Sequence, residues 1–248
     1  MIKFFRKIRQ NLLSEGKTTK YLKYAIGEII LVVIGILIAL QLNSWGESKK
    51  NDTIRHQYYL QLIDELKENK IYIEEIIQKY SQNISTYNKV IYSLNSQSLT
   101  TDQIFNKYSL VNYEYQNIIF HTGTIESLIS TGEIKLTPQS IRNKLLDLKH
   151  NMDRRTIVNG ELNQEYKDRI RLASLSSGGV IGEMIENKTL LNKTISAHVK
   201  NSLEDIILSK GAGLWVKNHN EKITVEACSD LIKKIKIIEK LINSELKN

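Results

Sequence analysis

The sequence predicts an all-α protein with an N-terminal amphipathic helix, one transmembrane helix and an extracytoplasmic antiparallel helical bundle with long helices. Three observations predict it. One proline stands in 248 residues, which suits long uninterrupted helices better than many tight turns. The run Ile29–Leu40 reads IILVVIGILIAL and holds no polar side chain. From Tyr59 to Leu94, apolar residues recur in alternating steps of four and three. With 41% hydrophobic and 25% charged residues, disordered and collagen-like chains are excluded. A single cysteine, Cys228, rules out an intramolecular disulfide and a cysteine-based zinc site.

The leader, residues 1–23, carries the charge. The chain has a formal net charge of +8, and seven basic residues stand here against Glu15 alone. The other 225 residues are nearly balanced and offer no basic face for a phosphate backbone, so nucleic acid is not an expected partner. Ile2, Phe4, Phe5, Ile8, Leu12 and Leu13 interleave with Lys3, Arg6, Lys7 and Arg9 at helical spacing. Such a cytoplasmic helix can lie in the inner leaflet with its basic residues on anionic headgroups.

The transmembrane helix is placed at residues 24–45. As a helix this stretch is about 33 Å long, the thickness of a bilayer's hydrocarbon core. Its ten Ile, Leu and Val residues between Ile29 and Leu40 favour insertion by about 3 to 6 kcal/mol. Glu28 opposes insertion but lies near one end, where it can reach the headgroups. Tyr24 and Trp45 sit where interfacial aromatic anchors belong, so Tyr24, Glu28, Ile29, Leu40 and Trp45 are the membrane-anchor residues. The basic leader keeps the amino end in the cytoplasm and places residues 46–248 outside. Gly35 and Ala39 form a small-xxx-small pair, and Glu28, seven residues before Gly35, shares their stripe. These three are the candidates for helix pairing.

The outer region, residues 46–248, reads as a helical bundle. Tyr59, Ile63, Leu66, Lys70, Ile73, Ile77, Tyr80, Ile84, Tyr87, Ile91 and Leu94 mark a coiled-coil-like stripe along a helix from about Asp52 to Ser96. Thr101 or Asp102 can cap a short helix, Thr124–Ser130 is another ended by Gly132, and Thr137-Pro138 opens a long one. There Ile141, Leu145, Leu148, Met152, Leu162 and Tyr166 form a stripe weakened by Arg155 and Asn159, and Ser176 to Gly179 closes the helix. A shorter helical stretch around Leu190–Leu208 follows, then a hinge at Gly211-Ala212-Gly213. The last long helix runs through Cys228, Leu231, Ile235, Ile238 and Ile242. Val111–Tyr115 is the nearest approach to a strand.

The leader Phe4-Phe5-Arg6-Lys7-Ile8-Arg9, the run Lys20-Tyr21-Leu22-Lys23-Tyr24-Ala25-Ile26-Gly27-Glu28, the apolar span and Asn43-Ser44-Trp45 resemble an uncharacterised family of bacterial single-span membrane proteins, a domain of unknown function. Glu126-Ser127-Leu128-Ile129-Ser130-Thr131-Gly132, before a helix opening near Pro138, is similar to that family's outer region. Gly46 departs from the polar residue the pattern has after the tryptophan. The resemblance implies a single-pass protein of the bacterial inner membrane with its C-terminal domain in the periplasm. It implies no activity and no catalytic residue.

No residue pattern points to a reaction. A dinuclear carboxylate site would show Glu-x-x-His pairs, and Asp147-Leu148-Lys149-His150 is the nearest miss. Gly178-Gly179-Val180-Ile181-Gly182 lacks the strand and lysine of a phosphate loop. Cys228 sits on an apolar stripe as a small hydrophobe. Tyr58, Tyr72 and Tyr92 lie off the core stripe and could anchor a partner. The chain is therefore expected to be no enzyme and to carry no cofactor, metal or catalytic residue. Its expected role is that of a membrane-anchored envelope protein acting as an interaction or scaffold protein. Its partners would be the lipid bilayer and a second copy (a homo-oligomer) or another envelope protein. The alternative is a ligand-sensing periplasmic helical bundle that signals through a partner protein, since 23 cytoplasmic residues are too few for an output domain.

Overall fold

The computed structural model describes residues 18–176 and 203–247, and among these every regular element is a helix. The elements are α1 (Thr18–Asn95), α2 (Thr101–Tyr108), α3 (Gly123–Ser130), a 3-10 turn (Glu133–Leu136), α4 (Gln139–Ser176) and α5 (Leu203–Glu245). The amphipathic leader helix over residues 2–13, the glycines at 178–182 and the helical stretch at 190–202 lie outside the described residues. The chain divides into two compact units, Met1–His56 and Gln57–Asn248.

In the first unit, α1 carries the apolar run. It is long and apolar enough to cross a membrane, and none of that stretch is buried. The helices expected at 24–45 and from about Asp52 to Ser96 are one continuous helix, α1, of 78 residues. A glycine inside a helix costs only about 1 kcal/mol, and the polar stretch Glu47–Asp52 has no proline to stop the backbone.

The second unit has its own core. Tyr59, Leu62, Leu66, Ile73, Ile76 and Tyr80 of α1 meet Ile125 and Leu128 of α3, Leu145 and Leu148 of α4, and Leu231, Ile235 and Ile238 of α5. The α1 stripe shares Tyr59, Leu66, Ile73 and Tyr80 with the expected one, but its intervening members are Leu62, Asn69, Ile76 and Val90, not Ile63, Lys70, Ile77 and Ile91. Both seams have the same period and nearly the same apolar content, so periodicity alone cannot choose between them. Partners choose, and Asn69 rather than Lys70 is the buried polar member.

The chain path corrects the expected antiparallel arrangement. After α2, residues 111–122 return extended beside α1, as the pairs Asn112–Asn83, Gln116–Tyr80, His121–Asn69 and Thr124–Glu65 show. Because this segment comes back without being a helix, α4 runs parallel to α1. Among the long helices described, α5 runs antiparallel to α4, with Asp147 against Lys234, Arg155 against Asn220 and Ile170 against Gly213.

Local chemistry explains the ends. Thr100, one residue before the expected caps, forms a capping box with Gln103 and starts α2. Gly132 stands at φ +73°, the left-handed conformation that ends α3 and suits glycine. Pro138 accepts from the N–H groups of Ile141 and Arg142, opening α4, while the Thr137 hydroxyl donates to Ile134 at 2.7 Å. The expected hinge at Gly211-Ala212-Gly213 is instead continuous α5. Its glycines serve close approach: a Cβ on Gly211 would meet the Tyr108 hydroxyl at 2.8 Å, and one on Gly213 would meet Ile170 Cδ1 at 3.0 Å.

Candidate functional site

Three places carry groups that ordinary packing does not require. The first is the apolar stretch of α1. Ile29, Leu40 and Trp45 are 63%, 60% and 67% exposed, so no described part of the chain covers any of the three. Tyr24 is helical, but its side chain lies outside the described residues. Lys49 Nζ stands 5.7 Å from the centroid of the Trp45 ring, a cation–π contact one helical turn on. Glu28, Gly35 and Ala39 share one face of α1 by helical spacing. A Cβ at Gly35 would meet nothing within 4 Å, which leaves room there for a close neighbour.

The second place is a polar seam inside the Gln57–Asn248 unit. An extended segment between helices brings backbone groups that must be hydrogen-bonded. With no neighbouring strand, asparagine and tyrosine side chains take over the pairing. Asn69 Oδ1 accepts from His121 N–H at 2.9 Å, and its Nδ2 donates to the same residue's carbonyl at 2.6 Å. Asn159 Oδ1 accepts from Ile118 N–H at 3.0 Å, Asn163 Nδ2 donates to the Gln116 carbonyl at 2.9 Å, and the Tyr166 hydroxyl donates to the Tyr113 carbonyl at 2.6 Å. Burial pushes the Tyr80 and Tyr166 hydroxyls above the ordinary phenol range, so both remain neutral donors.

On α5, Lys217 and Glu221 are buried as an ion pair at 2.6 Å, and Asn83 Nδ2 donates to the same carboxylate oxygen at 2.7 Å. Asn220 links this helix to α4: its Oδ1 accepts from Arg155 at 2.8 Å, and its Nδ2 donates to Asn163 Oδ1 at 2.9 Å. Arg155 and Asn159, which only weaken a stripe when read in sequence, are thus buried working members of the interior, and Asn163 takes the place expected for Leu162.

The third place is the outer face of α5. Trp215 is 59% exposed and stacks flat on His219, with ring centroids 5.5 Å apart and an interplanar angle of 3°. Leu208, seven residues before Trp215, shares its face and is also exposed. Sequence reading missed Trp215, because α5 carries apolar residues both in its core stripe and on its outer face, and a tryptophan among them gives no sign of which way it faces. Of the three tyrosines read as anchors, Tyr58 bonds Ser127 at 3.2 Å and Tyr72 packs edge-on against Phe120. Tyr92 alone of the three is exposed. Cys228 is buried in the core, and burial pushes its thiol up to about 12.

A helical chain whose first unit bears one long uncovered apolar stretch, followed by a unit with its own core, is the class of protein defined here. Residues 28–207 match the family of unknown function DUF6090, and the chain belongs to that family. No curated protein and no solved structure shows significant similarity to it.

Proposed function

We propose that this chain is a single-pass protein of the bacterial inner membrane, with its amino end in the cytoplasm and residues 46–248 in the periplasm, acting as an interaction or scaffold protein. The uncovered apolar stretch of α1 supports lipid as its surroundings, since exposure of that many large apolar side chains to water is strongly unfavourable. Trp45 under Lys49 suits a membrane–water interface, and the seven basic residues of the leader favour the cytoplasmic side for the amino end. A periplasm-active reporter fused after Asn248 should give signal, whereas one active only in the cytoplasm should be silent. The reverse pattern would invert the orientation.

The observation that carries the interaction reading is the ridge of Leu208, Trp215 and His219 on α5. A tryptophan held flat by an exposed neighbour presents a large, pre-ordered apolar surface, the kind of side chain that dominates binding at interfaces. A photo-cross-linking side chain at Leu208 in the full-length protein should therefore yield an adduct in cells. Trp215→Ala should reduce the adduct by about thirtyfold, corresponding to about 2 kcal/mol, while the helical circular dichroism stays unchanged. An adduct indifferent to Trp215→Ala, or none at all, would reject this surface as the working one.

A further inference from the structure

We infer that the groove between α4 and α5 beside Arg155 is a binding site for a small organic carboxylate with an apolar body. This goes beyond the interaction reading and does not depend on it. The groove has a volume of about 460 Å³, within the range of small-molecule sites. One part of its lining is apolar, with Val158, Ile223 and Ala227, and the other is basic, with Arg154, Arg155 and Lys234.

Charge bookkeeping singles out Arg155. Lys234 is already paired with Asp147, and Asp230, the acidic residue in the lining, is held by Lys233 at 2.8 Å. Arg155 is only 6% exposed, yet among the described residues it forms no ion pair. One guanidinium nitrogen donates to Asn220 Oδ1 at 2.8 Å, and Nε is buried without an acceptor. The titratable groups near enough to act on it are Cys228 and Tyr80, and burial keeps both uncharged at neutral pH.

A buried guanidinium without a counter-charge is expensive, and native interiors pair such groups. Here the missing counter-charge is supplied by a ligand. Guanidinium geometry suits a carboxylate, and Arg154 adds positive potential at the same groove. The apolar part of the lining takes the ligand's body, which distinguishes it from an inorganic anion.

The test uses the full-length protein in mild detergent, with phenylacetate as the probe and phenylacetamide and inorganic phosphate as controls. Calorimetric titration should show saturable binding of phenylacetate, with phenylacetamide and phosphate each weaker by about tenfold or more, the value of a hydrogen bond to a charged group. Arg155→Gln should abolish the binding in protein whose helical circular dichroism is unchanged, with some stability lost along with the Arg155–Asn220 hydrogen bond. Should Arg155→Gln fail to fold, Ala227→Leu decides, because it fills the groove from the opposite helix and keeps the guanidinium. Equal binding of acid and amide, equal binding of phosphate, no saturable response, or binding retained in Ala227→Leu would each overturn the assignment.

Discussion

The full-length chain carrying Ile34→Arg together with Leu37→Arg should leave the membrane fraction. Both positions lie near the middle of the apolar stretch and are exposed on α1. Each exchange moves a residue from about −0.5 to about +3 kcal/mol on the insertion scale, so the pair costs about 7 kcal/mol against the roughly 3 to 6 kcal/mol that favours insertion. Long arginine stems reach toward headgroups from the ends of a span but much less readily from its centre. The control exchange Ile34→Leu with Leu37→Ile should stay with the membranes through carbonate extraction. A double-arginine chain that still resists extraction would mean that something other than lipid surrounds this stretch.

Lys217→Met should cost about 3 to 5 kcal/mol of stability, because it leaves the Glu221 carboxylate buried without its cation. Lys217 and Glu221 are both nearly inaccessible, and Asn83 donates a second hydrogen bond to the same carboxylate oxygen. Burial raises the Glu221 carboxyl above the ordinary range, against the lowering by Lys217 and Asn83. A carboxyl raised by folding contributes stability below its unfolded value and loses it as pH rises through the folded value. Removing Lys217 raises Glu221 further. The loss should therefore be largest at neutral pH and shrink as the pH falls toward about 4.3, the unperturbed glutamate value. Denaturant titrations at the two pH values measure this. Adding Glu221→Leu to Lys217→Met should recover most of the stability, since apolar replacement of a whole buried pair is close to neutral. A loss equal at both pH values would show that Glu221 is not the group left stranded.

Much of the architecture was legible in the sequence, and the departures have physical causes. Cys228, Leu231, Ile235, Ile238 and Ile242 are core residues of α5, as their spacing requires. Ile141, Leu145, Leu148 and Met152 likewise fill the core from α4. On α1 the choice between Asn69 and Lys70 was not legible, because it depends on His121, which lies 52 residues away in sequence and presents both backbone groups to Asn69. Gly211 and Gly213 look like a hinge to any local rule, since local rules see the freedom of the backbone and not the Tyr108 and Ile170 side chains pressed against it. Arg155 looks like a flaw in a stripe, and its burial without a counter-charge among the described residues emerges only when α4 and α5 are set side by side.

What this protein owes to its sequence alone is its helical class, the apolar stretch from Ile29 to Leu40 and its family membership. These depend on composition and on a period of a few residues, and so need no knowledge of what lies opposite. Tertiary structure decided which α1 seam is buried, that residues 111–122 return extended so that α1 and α4 run parallel, and that a charged groove opens beside Arg155. Each of these turns on burial and pairing between residues far apart in the chain, where a polar side chain is favourable or costly according to the partner it meets.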